Sequence, residues 1–261
     1  MNPEIISPEL KTVLKRLKLS RMLDTLPERF TLARQQKMPH QDFLVLALGD
    51  EASRRDGQAA VLRAQRAHLD PDSQLERWDE TAKVEFDRPL LNELASLRFI
   101  ESHHHVAIVG PVGVGKTFLA HALGHVACRR GYSVLALGAD LMLKTLKHAR
   151  LTQTHEKELR YLLSVDLLIV DDFALDAMDP QESRDAYEII FERHRAGSMI
   201  ISSNRGPDEW LATFADPMRA QAAIDRFTSN AYDLVLEGES YRARLKPGRK
   251  GGGQTGEKKA K

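Results

Sequence analysis

Apolar residues in this chain follow two different rhythms. Near the amino terminus Leu10, Val13, Leu14 and Leu17 recur at helical spacing, with Lys11, Lys15, Lys18 and Arg21 on other faces. Ser7-Pro8-Glu9 supplies the cap, the first-turn proline and the acid that open such a helix. Pro27 is expected to interrupt this region. A second helical stretch is expected from Gln41 to about Leu69, broken near Gly57, with Phe43, Leu44, Leu46, Ala47 and Leu48 as its apolar part and Arg54, Arg55, Arg63 and Arg66 on a basic second half. The reading is a small all-helical domain over residues 1–70, followed by a linker at Pro71-Asp72-Ser73.

Beyond a predicted helix from Arg88 to Arg98, the rhythm changes to short, largely apolar runs separated by helices. Val106–Val109, Val134–Leu137, Asp166–Val170 and Met199–Ser202 read as strands. Helices are predicted over Lys116–Arg130, Ala139–Arg150, His155–Leu163 and Gln181–Arg195. Continuous apolar strands alternating with helices make a parallel sheet covered on both faces, an α/β fold.

The first strand runs into Gly110-Pro111-Val112-Gly113-Val114-Gly115-Lys116-Thr117, which fits G-x-x-x-x-G-K-[ST] at every fixed position. Glycines let backbone N–H groups turn in around phosphate oxygens, and the following helix aims its positive end at the same point. Lys116 can reach the β and γ phosphates, and the Thr117 hydroxyl can ligate magnesium. Leu167–Val170 delivers Asp171 and Asp172 to a strand's carboxyl end. Asp171 is read as the Mg2+ ligand and Asp172 as the carboxylate that activates a lytic water. Asn204, after the next strand, either orients that water or caps a turn. On spacing alone, Arg226 and Arg242 read as surface charges.

Composition sets limits on this picture. The 261 residues are 42% hydrophobic and 29% charged, with a formal net charge of +1, as in soluble globular chains. No apolar run is long enough to cross a bilayer, and the amino terminus lacks an apolar signal region, so the expectation is a cytoplasmic protein without a membrane partner. The lone cysteine, Cys128, excludes an internal disulfide and is read as core. Lys246, Arg249, Lys250, Lys258, Lys259 and Lys261 against Glu257 make residues 246–261 a basic tail, expected to be disordered, either solubilising or loosely bound to nucleic acid. His103-His104-His105 is read as a polar surface turn, since consecutive strand residues face opposite ways. Trp78 is read either as a cover for adenine or as a linker aromatic packed on the core.

Five blocks in order, GPVGVGKTFLAHALGHVACRRGY, VDLLIVDDF, IISSNR, AAIDRF and GESYR, together with FLVLALGDEASRR near the amino terminus, resemble the IstB-like ATP-binding proteins. These are helper ATPases of bacterial insertion sequences and AAA+ relatives of the DnaC helicase loaders. The resemblance implies a P-loop AAA+ three-layer α/β/α domain over residues 71–245 with a central parallel sheet and a reduced lid. It implies ATP and Mg2+ as cofactors, Asn204 as sensor 1, Arg226 as an arginine finger acting in trans, and Arg242 as a sensor-2-like residue at the nucleotide. It further implies an ATP-dependent oligomer on double-stranded DNA that recruits a transposase through the N-terminal helices. A DnaC-like helicase loader, acting on single strands, is the alternative. Relatives usually carry Asp-Glu and then Gly-Tyr-Leu, where this chain has Asp171-Asp172 and Phe173-Ala174-Leu175. The shorter acid points to slow hydrolysis, or to a nucleotide switch that barely hydrolyses.

Overall fold

A computed structural model of the chain describes residues 6–243; the basic tail expected at 246–261 lies outside the described residues. By internal contacts the chain divides between Leu62 and Arg63.

The first unit is helical. Helix α1 (Pro8–Arg16) is capped by Ser7, whose Oγ accepts the Leu10 N–H at 3.2 Å. Helix α2 (Met22–Gln35) runs through Pro27, contrary to the interruption expected there. Burial outweighs the lost backbone hydrogen bond: Met22 and Leu26 pack with Ile6, Leu14 and Ala47, and Phe30 stacks on Phe43 at 5.2 Å. Helix α3 (His40–Arg66) likewise continues through Gly57 where a break was expected. A single helical glycine costs only about 1 kcal/mol relative to alanine. Arg29 holds Asp50 at 2.6 Å, while Arg54 and Arg55 both bind the buried Glu51.

The second unit is built on five parallel strands in the order β3-β4-β5-β2-β6: β2 (His105–Val109), β3 (Val134–Gly138), β4 (Leu167–Asp171), β5 (Ser198–Ser203) and β6 (Ala231–Val235). One face is covered by α4 (Arg88–Ala95), α5 (Arg98–Glu101) and α6 (Lys116–Arg129). The other is covered by α7 (Ala139–Leu151), α8 (His155–Ser164), α9 (Pro180–Arg193) and α11 (Pro217–Thr228), with the short α10 (Pro207–Trp210) burying Trp210 against Phe173. This is the three-layer AAA+ sandwich. A two-stranded antiparallel ribbon joins β1 (Val84–Glu85) to β7 (Glu237–Gly238). After β6 the described chain holds only β7 and a turn at Tyr241–Ala243, so no helical lid follows among the described residues.

The helix expected over Arg88–Arg98 is two, because Leu97 takes a left-handed φ of 66° and buries its side chain. His105 is not in a surface turn. It begins β2, is fully buried, and stacks on Phe227 at 5.2 Å with rings 5° apart. Cys128 is buried, as read from the sequence. Among the described residues no helix is long and apolar enough to cross a membrane.

Candidate nucleotide site

The carboxyl ends of β2, β4 and β5 lie side by side, because Val109 pairs with Ser203 and Val170 with Ile201. The sequence placed its chemistry at these ends: the glycine loop after β2, the acidic pair at the end of β4, and Ser202-Ser203-Asn204 at the end of β5. They open on a cavity of about 620 Å3.

The loop adopts backbone angles that side chains resist. Gly113 and Gly115 have φ of 84° and 105°. A Cβ on Gly113 would meet the Ser240 Oγ at 2.2 Å, and one on Gly115 would meet the Trp78 ring at 2.9 Å. The loop is thus clasped from both sides. On one side the Tyr241 N–H donates to the Gly113 carbonyl at 2.8 Å. On the other, Trp78 packs edge-on against Phe86 and Phe118.

Lys116, the first residue of α6, is buried although charged. Its ammonium donates to the carbonyls of Gly110 and Pro111, both at 2.8 Å, and to the Asn204 Oδ1 at 2.5 Å. Burial pulls its pKa below the ordinary value, against the opposing pull of Asp172 and Asp171, while Arg242 adds a smaller repulsion. A cation held by carbonyl dipoles, with two carboxylates near and a second cation beside it, can exchange those partners for phosphate oxygens.

Val112 to Thr117, Asp172, Asn204 and Arg242 line the cavity. Gly110 and Pro111 act through their carbonyls on Lys116 rather than as walls. Asp171 sits just behind the wall, half-buried, its Oδ1 accepting from the Ser202 hydroxyl. Asp172 is exposed and left-handed at φ 51°, and its N–H donates to the Ser202 Oγ at 3.2 Å. Asn204 caps no helix; its side chain is spent on Lys116. Arg226 does not line this cavity. Its guanidinium lies 4.8 Å over the Phe191 ring and donates to the Ala222 carbonyl at 2.9 Å.

The sequence reading missed the wall that faces the loop. Asp70, Ser73, Arg77, Asp79 and Ala82 line the cavity with Trp78, although Pro71-Asp72-Ser73 was expected to be linker. This segment is bolted to α6. The Asp70 N–H donates to His121 Nδ1 at 2.9 Å, and its carbonyl lies 2.8 Å from His125 Nε2. The Asp70 carboxylate accepts from the Asp72 N–H and the Ser73 hydroxyl, which holds its pKa below the ordinary value. Trp78, alone in a polar stretch, was the available signal. Tyr241, from the GESYR block, and Leu175, after the acidic pair, also line the cavity, although neither was read as a site residue.

A parallel sheet whose strand-to-helix glycine loop, lysine, acidic strand end and neighbouring asparagine converge on one cavity defines a P-loop nucleotide-binding protein of the AAA+ class. Residues 12–248 match the family described as IstB-like ATP binding protein. An insertion-sequence ATP-binding protein of Mycobacterium tuberculosis is 35% identical over 246 residues, covering 94% of this chain and 98% of the relative. Among solved structures, replication initiator DnaA bound to AMPPCP and single-stranded DNA is 25% identical with a TM-score of 0.53, covering 66% of this chain and 51% of that one. The DnaC helicase loader matches at 19% identity and a TM-score of 0.51, covering 57% of this chain and 86% of the loader, and shares the fold. The chain belongs to the IstB-like ATP-binding proteins.

Proposed function

We propose that this protein is a Mg2+-dependent ATPase of the cytoplasm that assembles on double-stranded DNA in its ATP state and recruits a transposase through its N-terminal helices. The observation that carries the reading is the buried Lys116 ammonium, held by two loop carbonyls and Asn204 beside Asp171 and Asp172. A site built only to hold a nucleotide has no use for a carboxylate and an asparagine on the γ-phosphate side. Names of relatives that tie them to insertion sequences favour transposition over helicase loading.

The residues suit magnesium. Thr117 offers a hydroxyl and Asp171 a carboxylate, both hard oxygen donors. Among the described residues no cluster of three His, Cys, Asp or Glu forms a cage, which fits an ion held mainly by phosphates and water. When bound, the ion would neutralise charge on the transferred phosphoryl group. Lys116 would leave its carbonyl partners for the β and γ phosphates, and the loop N–H groups would bind the oxygens between them. Asp172 would take the proton of the attacking water, with Asn204 orienting that water. Arg242 would lie against the nucleotide of its own subunit. Arg226, outside its own cavity, would complete a neighbour's, so that full activity requires assembly.

The test is retention on DNA. With ATP the chain is expected to bind duplex better than single-stranded DNA, and Lys116→Ala is expected to lose that dependence. A preference for single strands, together with capture of a replicative helicase, would instead make it a loader.

A further inference from the structure

Strand β5 contains Met199-Ile200-Ile201-Ser202, and all four residues are buried. A hydroxyl placed where the preceding residues are aliphatic costs free energy unless it is hydrogen-bonded. Both bonds of the Ser202 hydroxyl go to the acidic pair: it donates to Asp171 Oδ1 and accepts the Asp172 N–H at 3.2 Å. The Ser202 carbonyl adds a third bond, accepting the Phe173 N–H at 2.9 Å. One residue therefore fixes the rotation of one carboxylate and the backbone of the next.

That second task has a physical reason. Asp172 and Ala174 are left-handed, at φ 51° and 57°, and non-glycine residues hold such angles at a cost of roughly 1–2 kcal/mol each. Something must pin the turn. Ser203 helps, but differently: its hydroxyl donates to the Phe173 carbonyl at 2.7 Å and accepts the Arg205 N–H at 3.1 Å, so it touches backbone only. Both serines are buried, at 0% and 1% exposure, and they differ in whether they reach a carboxylate.

We infer that Ser202 is the positioning residue of the magnesium carboxylate, orienting Asp171 for the ion and Asp172 for the water through one hydroxyl. This rests on the ATPase reading above. Removing a hydrogen-bond partner behind a metal ligand commonly costs about 10–100-fold in metal affinity or activity.

The experiment measures binding of a non-hydrolysable ATP analogue to the full chain in MgCl2 and in EDTA, and takes the ratio of the two affinities. Ser202→Ala is expected to bind as wild type in EDTA and to lose about 10-fold or more of the magnesium-dependent gain. Ser203→Ala is expected to melt earlier yet keep the gain, and Ser202→Thr, which retains the hydroxyl, to restore it. If the alanine variant does not fold, Ser202→Cys, with a similar volume and a poor donor, takes its place under the same expectation. A Ser202 variant that binds in EDTA and keeps the full gain overturns the inference. So does an equal loss in Ser203→Ala, which would make the effect one of general stability. A wild-type chain that binds the analogue but gains nothing from magnesium overturns the parent reading of the ion, and Ser202's role with it.

Discussion

Gly113→Ala tests how the phosphate loop is clasped. At φ 84° an alanine is strained by roughly 1–2 kcal/mol. Its methyl would lie 2.2 Å from the Ser240 Oγ, 3.0 Å from the Ser240 Cβ and 3.4 Å from its Cα. The hydroxyl can rotate away but the Cβ cannot, so the strap formed by residues 238–243 must shift. Moving it stretches the 2.8 Å bond from the Tyr241 N–H to the Gly113 carbonyl, worth about 0.5–1.5 kcal/mol. The sum is about 1.5–3.5 kcal/mol, which for a unit of this size lowers the melting temperature by roughly 3–14 °C. Ser240→Gly removes the offending atoms but not the backbone strain. In that background Gly113→Ala should cost about 0.5–1.5 kcal/mol less, the coupling expected of contacting residues. Thermal melts and ATP titrations of the four chains in this cycle supply the readout. Because the strap carries Tyr241 and Arg242 into the cavity, ATP affinity should fall with Gly113→Ala and recover in part in the double variant. Additive melting shifts, or unchanged ATP affinity in Gly113→Ala, would refute the clasp.

His105 predicts a pH dependence. Burial, with lesser repulsion from Arg193, His194, His104 and His103, lowers its pKa from 6.5 to about 3. Below 6.5 the unfolded chain takes up a proton that the folded chain refuses, so this contribution is complete above 6.5 and declines as pH falls toward 3, by about 1.4 kcal/mol per pH unit. Melting temperature against pH should be flatter for His105→Phe, which keeps the stack on Phe227; parallel curves would refute the assignment. Asp172→Asn should keep ATP binding and lose about 100-fold or more of turnover, whereas Asp172→Glu, with its longer reach, should turn over faster than wild type; no gain in steady-state phosphate release would count against the water-activating role. Arg226→Ala should bind ATP normally and hydrolyse it about 1,000-fold more slowly. Mixing it with Lys116→Ala chains should restore part of the turnover, and failure to complement would argue against action in trans.

The chemistry at the strand ends was legible because it is local. A glycine loop, a lysine and an acid after an apolar run declare themselves at fixed spacing, and the covered parallel sheet follows from runs such as Leu167–Val170. What the sequence concealed depends on distant partners. Strand β6 reads Ala231-Tyr232-Asp233-Leu234-Val235, with Asp233 at its centre and only Leu234 buried, so no continuous apolar run over its length announces it. The two residues each of β1 and β7 carry no period at all. His105 looked polar beside His103 and His104, and only the Phe227 ring beneath it makes it core. Pro71-Asp72-Ser73 looked like linker since proline, aspartate and serine favour turns. Those turns are real, but they are tied to His121 and His125 on α6 and become a wall of the site.

Tryptophan emission of the full chain, titrated with ATP, tests the central claim most directly. Trp78 lines the cavity against Gly115, whereas the other tryptophan, Trp210, is fully buried in the opposite core. ATP should produce a saturable change in emission that Trp78→Phe removes and Lys116→Ala shifts to far higher concentration. Saturable ATP binding that leaves Trp78 unchanged and survives Lys116→Ala would contradict the account, because the nucleotide would then lie elsewhere.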